Sequence, residues 1–138
     1  MKRRLRSATV NLDELIKLMP FATQLGITLD AASPEEARGR MTWAPQRCTA
    51  ANIMHGGALM AFADTVAAVN AFLNLPPGAT TSTIQSGTNF FRAVRSGTVT
   101  AVSQPLHVGR STIVIRTDLH DDELRTVATI TQTQSVLA

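Results

Sequence analysis

Residues 55–78 constrain this chain more than any other stretch. His55-Gly56-Gly57 leads into an apolar run from Ala58 to Leu75, and Pro76-Pro77-Gly78 closes it. Successive prolines cannot continue a helical hydrogen-bond ladder, so the run predicts one helix ending before them. Leu59, Met60, Phe62, Val66, Val69 and Phe72 point all round its axis, with alanines between them. A helix that is apolar on every side has to be enclosed. Its uninterrupted apolar length is too short for a membrane span, and an acid, Asp64, stands near the middle. Burying a carboxylate costs several kcal/mol unless it is paired, hydrogen-bonded or used. Asp64 is therefore expected to be buried, and its presence needs a reason.

The rest of the chain supplies the enclosure. Asn11 opens a short amphipathic helix with Leu12, Leu15, Ile16 and Met19 at helical spacing, Glu14 placed as in a capping box, and Pro20 as its stop. Strand candidates follow over 26–30 and 37–43, joined by the turn Ser33-Pro34-Glu35-Glu36, and residues 45–54 form a loop leading into the central helix. After Gly78 the residues become Thr, Val, Ile and Ser, which favour strands. Four are expected, over 80–92 with a bulge at Gly87, 98–108 with Pro105 marking an edge or a bulge, 111–119, and 124–136. Ile113, Ile115, Thr117 and Leu119 share one face of the third. Short turns make these four antiparallel neighbours. The order is helix, two strands, buried helix, four strands: an α+β chain whose curved antiparallel sheet wraps the long helix. One sheet cannot enclose a helix completely, so a second copy of the chain is expected to cover the remainder.

A length of 138 residues suits one domain with a real core, and 44% apolar against 17% charged residues describes a globular chain. Residues 1–10 are expected to be a disordered basic arm, and 11–138 a single domain. The formal net charge of +3 comes largely from Lys2, Arg3, Arg4 and Arg6, so the body is close to neutral. With 4% aromatics and no tyrosine, stacking platforms for single-stranded nucleic acid are not expected, nor is a basic groove. Arg92, Arg95, Arg110, Arg116 and Arg125 are scattered over the C-terminal half and leave room for a phosphate-bearing small ligand. The single cysteine, Cys48, excludes an internal disulfide. The basic start is not followed by an apolar core and a small-residue cleavage site, so a cytoplasmic protein is expected. No HxxH, CxxC or carboxylate–His spacing supports a metal, and no cofactor is expected.

The string His55-Gly56-Gly57-Ala58-Leu59-Met60-Ala61-Phe62-Ala63-Asp64-Thr65, with its acid nine positions after the histidine, resembles the hotdog-fold acyl-CoA thioesterases. The similarity points to the phenylacetate-pathway (PaaI-like) and 4-hydroxybenzoyl-CoA thioesterase group. It covers almost the whole chain from Leu12, including Met19-Pro20-Phe21, Leu25-Gly26-Ile27, Asn89-Phe90-Phe91-Arg92 and Gly109-Arg110. The resemblance implies a hotdog fold and hydrolysis of an acyl-CoA thioester to free acid and coenzyme A. It implies Asp64 as general base or nucleophile and the Gly56 N–H as oxyanion donor. The residues agree: Gly56 and Gly57 begin a helix, where N–H groups lack partners and the dipole is positive.

Other roles stay open between two readings each. Asp64 is either catalytic or a structural carboxylate paired with Thr65, Arg92 or a backbone group. His55 either orients the loop and touches the thioester or simply caps the helix. Thr83 holds the water or is an ordinary strand threonine. Arg92 and Arg110 meet the coenzyme A phosphates or are solvated strand ends. Thr49, Asn52 and Gly57 shape the substrate site. Gly56 and Asp64 lie eight residues apart, about 12 Å along a helix, whereas one thioester carbonyl has to sit within about 3 Å of both. Two antiparallel copies solve this, so a homodimer at least is expected, and a homotetramer as a dimer of dimers.

The sequence departs from the family pattern in places. Thr49 stands where relatives commonly have Asn or Gln, Asn52 where they have Gly, and Ala93-Val94 where they have Pro-Ala. The Thr49 departure keeps a non-catalytic acyl-CoA-binding module in view as an alternative. A hotdog enoyl-CoA hydratase or dehydratase is a more distant one, since the HGG spacing does not match it.

Overall fold

The computed structural model describes residues 11–138. The basic arm expected over 1–10 lies outside the described residues. Asn11 caps α1 (Leu12–Lys17), its side chain accepting from the Glu14 N–H at 3.1 Å. Pro20 does end that helix, but it also begins another, α2 (Pro20–Gln24), as its first helical residue. Proline suits that position because the N–H it lacks would have no helical partner there. Gly26 follows at φ +70° and turns the chain, so the first strand starts later than expected. The strands are β1 (Thr28–Ala32), β2 (Ala37–Thr42), β3 (Thr80–Phe90), β4 (Thr98–Val108), β5 (Thr112–His120) and β6 (Thr126–Leu137), with α3 (Gly56–Phe72) between β2 and β3.

The strands form one antiparallel sheet in the order β1-β2-β4-β5-β6-β3. One expectation fails here. β3 is not a neighbour of β4; residues 91–97 carry the chain across, and β3 pairs with β6 instead. Its other edge pairs with no strand among the described residues. The bulge in β3 also lies elsewhere than expected: register shifts between Thr83 and Gln85, leaving Ile84 as the extra residue, while Gly87 pairs regularly with Thr131. Pro105 does mark a bulge, between Pro105 and His107 on the β5 side, at a point beyond the reach of β2.

The sheet curls around α3. Phe62, Ala63, Val66 and Ala67 on the helix are fully buried against Met41, Val99, Ala101, Ile113, Ile115 and Leu119 on the strands. Each large side chain so placed contributes about 1.5–3 kcal/mol. The fit is close where β2 crosses the helix. A Cβ on Gly39 would lie 2.8 Å from the Thr28 carbonyl and 3.0 Å from Val66 Cγ2, so only glycine fits. The helix ends at Phe72, four residues before Pro76, and Leu73, Asn74 and Leu75 between them form a tightening last turn, Asn74 N–H to Ala71 O and Leu75 N–H to Phe72 O. Among the described residues no helix is long and apolar enough to cross a membrane.

The helix is not enclosed on every side. Gly57, Met60, Asp64 and Phe72 are exposed, and Ala61 and Ala68 between them are half-buried. These positions lie one above another along one stripe. The expected burial of Asp64 is therefore wrong for the single chain: the sheet covers three sides of α3 and leaves the fourth, which carries the acid, open.

Candidate active site

The loop before α3 is fixed by a set of hydrogen bonds and by Met54, which is buried in the core. Thr49 N–H reaches Ile53 O at 2.8 Å, Met54 N–H reaches Val94 O at 2.8 Å, and His55 N–H reaches Arg47 O at 2.8 Å. The Arg47 guanidinium in turn donates to Thr42 O at 2.8 Å, and the Trp43 indole donates to Asn52 O at 3.0 Å. Asn52 is left-handed at φ +58°, the conformation its amide side chain tolerates where a glycine would be usual. Ala51 is left-handed too, at φ +62°, which no feature of the sequence announced.

This loop delivers His55 as the N-cap of α3. Its Nδ1 accepts the Gly57 N–H at 2.7 Å, and its carbonyl takes the Ala58 and Leu59 N–H groups at 2.9 and 3.1 Å. An imidazole accepting at Nδ1 carries its hydrogen on Nε2 when neutral. Of the first helical N–H groups, that of Gly56 alone finds no acceptor among the described residues. The positive end of the helix dipole reinforces it. Over Gly56 lies the ring of Phe90, close enough that a Cβ would come 3.2 Å from its Cζ. Phe90 is 48% exposed and Met60 39%, whereas Phe62 is 0% exposed and belongs to the core.

Asp64 sits two turns further along the uncovered stripe. Its Oδ1 accepts from Gln132 Nε2 at 3.0 Å and lies 3.3 Å from Thr83 Oγ1. The structural partners considered for it from sequence are not used. Thr65 Oγ1 donates to Ala61 O at 2.8 Å, and Arg92 makes no ion pair among the described residues. Thr83 Oγ1 also lies 2.6 Å from Gln134 Oε1. The bulge at Ile84 matters here. It lets Thr83, opposite Gln134, and Phe90, opposite Ala128, face α3 from the same strand.

Thr83 and Asp64 are thus brought together, as are Gly56, Gly57 and His55. Thr49 and Asn52 are exposed in the loop before them. Arg92 and Arg110 are exposed at strand ends, and no bond joins either side chain to this cluster. Gln132 and Gln134, both buried, were missed from sequence. The available signal was their phase, since they continue the inward alternation of Ala128 and Ile130.

Residues 51–128 match the model of the thioesterase superfamily. The chain belongs to the thioesterase superfamily. As a thioesterase it aligns with thioesterase HI1161 from Haemophilus influenzae at a TM-score of 0.88 and 28% identity, over 94% of this chain and 92% of that one. The Mycobacterium tuberculosis protein Rv1847 is 29% identical over 113 residues, 80% of this chain and 81% of its own. The Escherichia coli PaaI protein, from the phenylacetic acid degradation operon, superposes at a TM-score of 0.85 over 99% of this chain and 95% of that one; at 23% identity it shows likeness of fold. The six-stranded sheet around one long helix is the hotdog fold.

Proposed function

We propose that this thioesterase hydrolyses an acyl-CoA thioester, aromatic or fatty, to the free acid and coenzyme A, and that each site is built from two chains. One observation carries the reading. The unpartnered Gly56 N–H opens the N-terminus of α3, and the Asp64 carboxylate stands on the uncovered side of the same helix, eight residues further along. That is about 12 Å of helix, too far for one thioester to touch both. A second copy laid antiparallel on the stripe brings the Gly56 of one chain to the Asp64 of the other. It also covers the acid, removing it from bulk water.

The same surface argues for that occupant. The free edge of β3 offers a long row of unpaired backbone groups. Ile84, Phe90 and Phe91 stand exposed on that strand and just beyond it, at 63%, 48% and 60%. A dimer at least accounts for both, with a tetramer as the further assembly.

In this arrangement Asp64 takes a proton from water as the water attacks the carbonyl, or attacks the carbonyl itself to give an anhydride that water then opens. In either case the carbonyl oxygen gains the charge, the Gly56 N–H holds it, and the thiolate leaves and is protonated. His55 Nε2–H, Thr49, Asn52, Gly57 and Thr83 line the approach, and Arg92 and Arg110 suit the coenzyme A phosphates. A panel of aromatic and aliphatic acyl-CoA esters, with released thiol measured, is the first test; binding without thiol release would favour the non-catalytic module. The shared site has its own test. An equimolar, randomly reassorted mixture of Gly56→Pro and Asp64→Asn chains should regain about a quarter of wild-type turnover, because about half of its dimers are mixed and an isologous interface rebuilds one of the two sites in each. No recovery in confirmed heterodimers would refute a site shared between chains.

A further inference from the structure

We propose that Gln132 is the positioning residue for Asp64, anchoring carboxylate oxygen Oδ1 and leaving Oδ2 as the atom that reacts. The inference rests on the reading of Asp64 as the catalytic acid group.

On β6 the inward positions run Ala128, Ile130, Gln132, Gln134, and all are buried. An amide in such a place costs about 1–3 kcal/mol unless its bonds are made. An apolar side chain would fill the space without that cost, so packing does not explain the glutamines. Gln132 Nε2 has two hydrogens and spends both, one on Asp64 Oδ1 at 3.0 Å and one on Gln134 Oε1 at 2.9 Å.

The neighbours fix which way each amide points. Gln134 Oε1 also takes the Thr83 hydroxyl, and Gln134 Nε2 donates to Thr81 Oγ1 at 3.2 Å. Thr81 Oγ1 donates onward to Ser135 O at 2.7 Å. Turning Gln134 round would set its NH2 against that of Gln132. Turning Gln132 round would set a carbonyl oxygen against an ionised carboxylate. The orientation that remains leaves Gln132 Oε1 buried without a partner. The fold thus accepts an orphaned acceptor in order to aim both N–H groups where they are.

Thr83 cannot substitute for Gln132 in this. Its one hydroxyl hydrogen goes to Gln134 Oε1 at 2.6 Å rather than to Asp64 at 3.3 Å. Asp64 Oδ2 accepts nothing among the described residues. A neutral donor on Oδ1 orients the carboxylate without cancelling its charge, whereas an arginine there would cancel it.

The test compares Gln132→Met, Gln132→Glu and Asp64→Asn with wild type in the intact protein, on whichever acyl-CoA ester it turns over best. Gln132→Met keeps the shape and removes the donor. It should melt at or above the wild-type temperature, lose about 10- to 100-fold in kcat as a misplaced group does, and change KM by less than about threefold since no substrate contact is lost. That split, a fall in kcat with KM held, is what a merely structural role for Gln132 would not produce. Gln132→Glu preserves shape and sets a second carboxyl against Oδ1 in place of the donor, so it should lose at least as much kcat, again with KM little changed. Wild-type kcat in a folded Gln132→Met, whatever its melting temperature, overturns the inference; if that variant does not fold, the same result in Gln132→Glu does so. An inactive Asp64→Asn beside such a result leaves the catalytic reading standing, whereas an active Asp64→Asn removes both.

Discussion

β5 and β6 run side by side and turn the same rows of side chains toward α3, yet they bring opposite chemistry to it. Leu119 pairs with Ala128 and Thr117 with Ile130, and there the rows are mostly apolar; then Ile115 pairs with Gln132 and Ile113 with Gln134. β5 stays aliphatic where β6 switches to amides. The switch falls beside Asp64, which accepts from Gln132. β5 holds the helix in place, and β6 aims one residue of it. Neighbouring strands in one sheet can therefore have their stability and their chemistry altered separately.

That separation can be attacked from several sides. Asp64→Asn keeps the shape and removes the charge that the β6 amides serve. Turnover should fall by about 10²–10⁴-fold, the worth of a positioned base, with the melting temperature unchanged or higher. Gly56→Pro comes next. Proline suits the first helical position, and His55 already has the extended backbone (φ −64°, ψ 132°) that a following proline requires. The variant should lose about 10²–10³ in kcat with the donor. Gly56→Ala presses the same Cβ on Phe90 but keeps the N–H, so it should lose far less; equal losses would mean that the ring, not the amide, is what matters.

On the β5 side, Ile115→Ala should cost about 2–5 kcal/mol in denaturant unfolding as a cavity opens, while the folded fraction keeps its kcat. A kcat loss as large as that of Gln132→Met would erase the distinction between the strands. The smallest effect concerns the buried hydroxyl pair of Ser103 and Thr117, 2.6 Å apart. Thr117→Val alone should cost about 1–3 kcal/mol by stranding its partner, whereas adding Ser103→Ala should bring stability back near wild type.

Much of this was legible in the sequence for a physical reason. The apolar run and its prolines give α3, the alternation of Ile113, Ile115, Thr117 and Leu119 gives β5, and a local turn shows in Ser33-Pro34-Glu35-Glu36. The capping Asn11 and the left-handed Asn52 announce themselves through their own backbones. What failed depends on distant partners. Nothing local says that β3 leaves β4 for β6. After Ile130 the chain reads Thr-Gln-Thr-Gln, polar on both faces, so the only clue to which pair points inward is the phase carried over from Ala128 and Ile130. Asp64 looked buried because a mostly apolar helix was taken to be wrapped all round, whereas the curl of one sheet stops short of its fourth side.

The extra residue at Ile84 has a consequence for how this strand can change. Side chains on an extended chain alternate strictly, so positions 83 and 90, differing by an odd number, would ordinarily point in opposite directions. A single irregularity reconciles them, giving one strand a hydroxyl for the Gln134 amide beside the acid at one end and a ring over Gly56 at the other. Deleting one residue there would straighten β3 and turn one end of the pocket outward. Substitutions along β3 can be tolerated one by one, but its length between those two points is fixed.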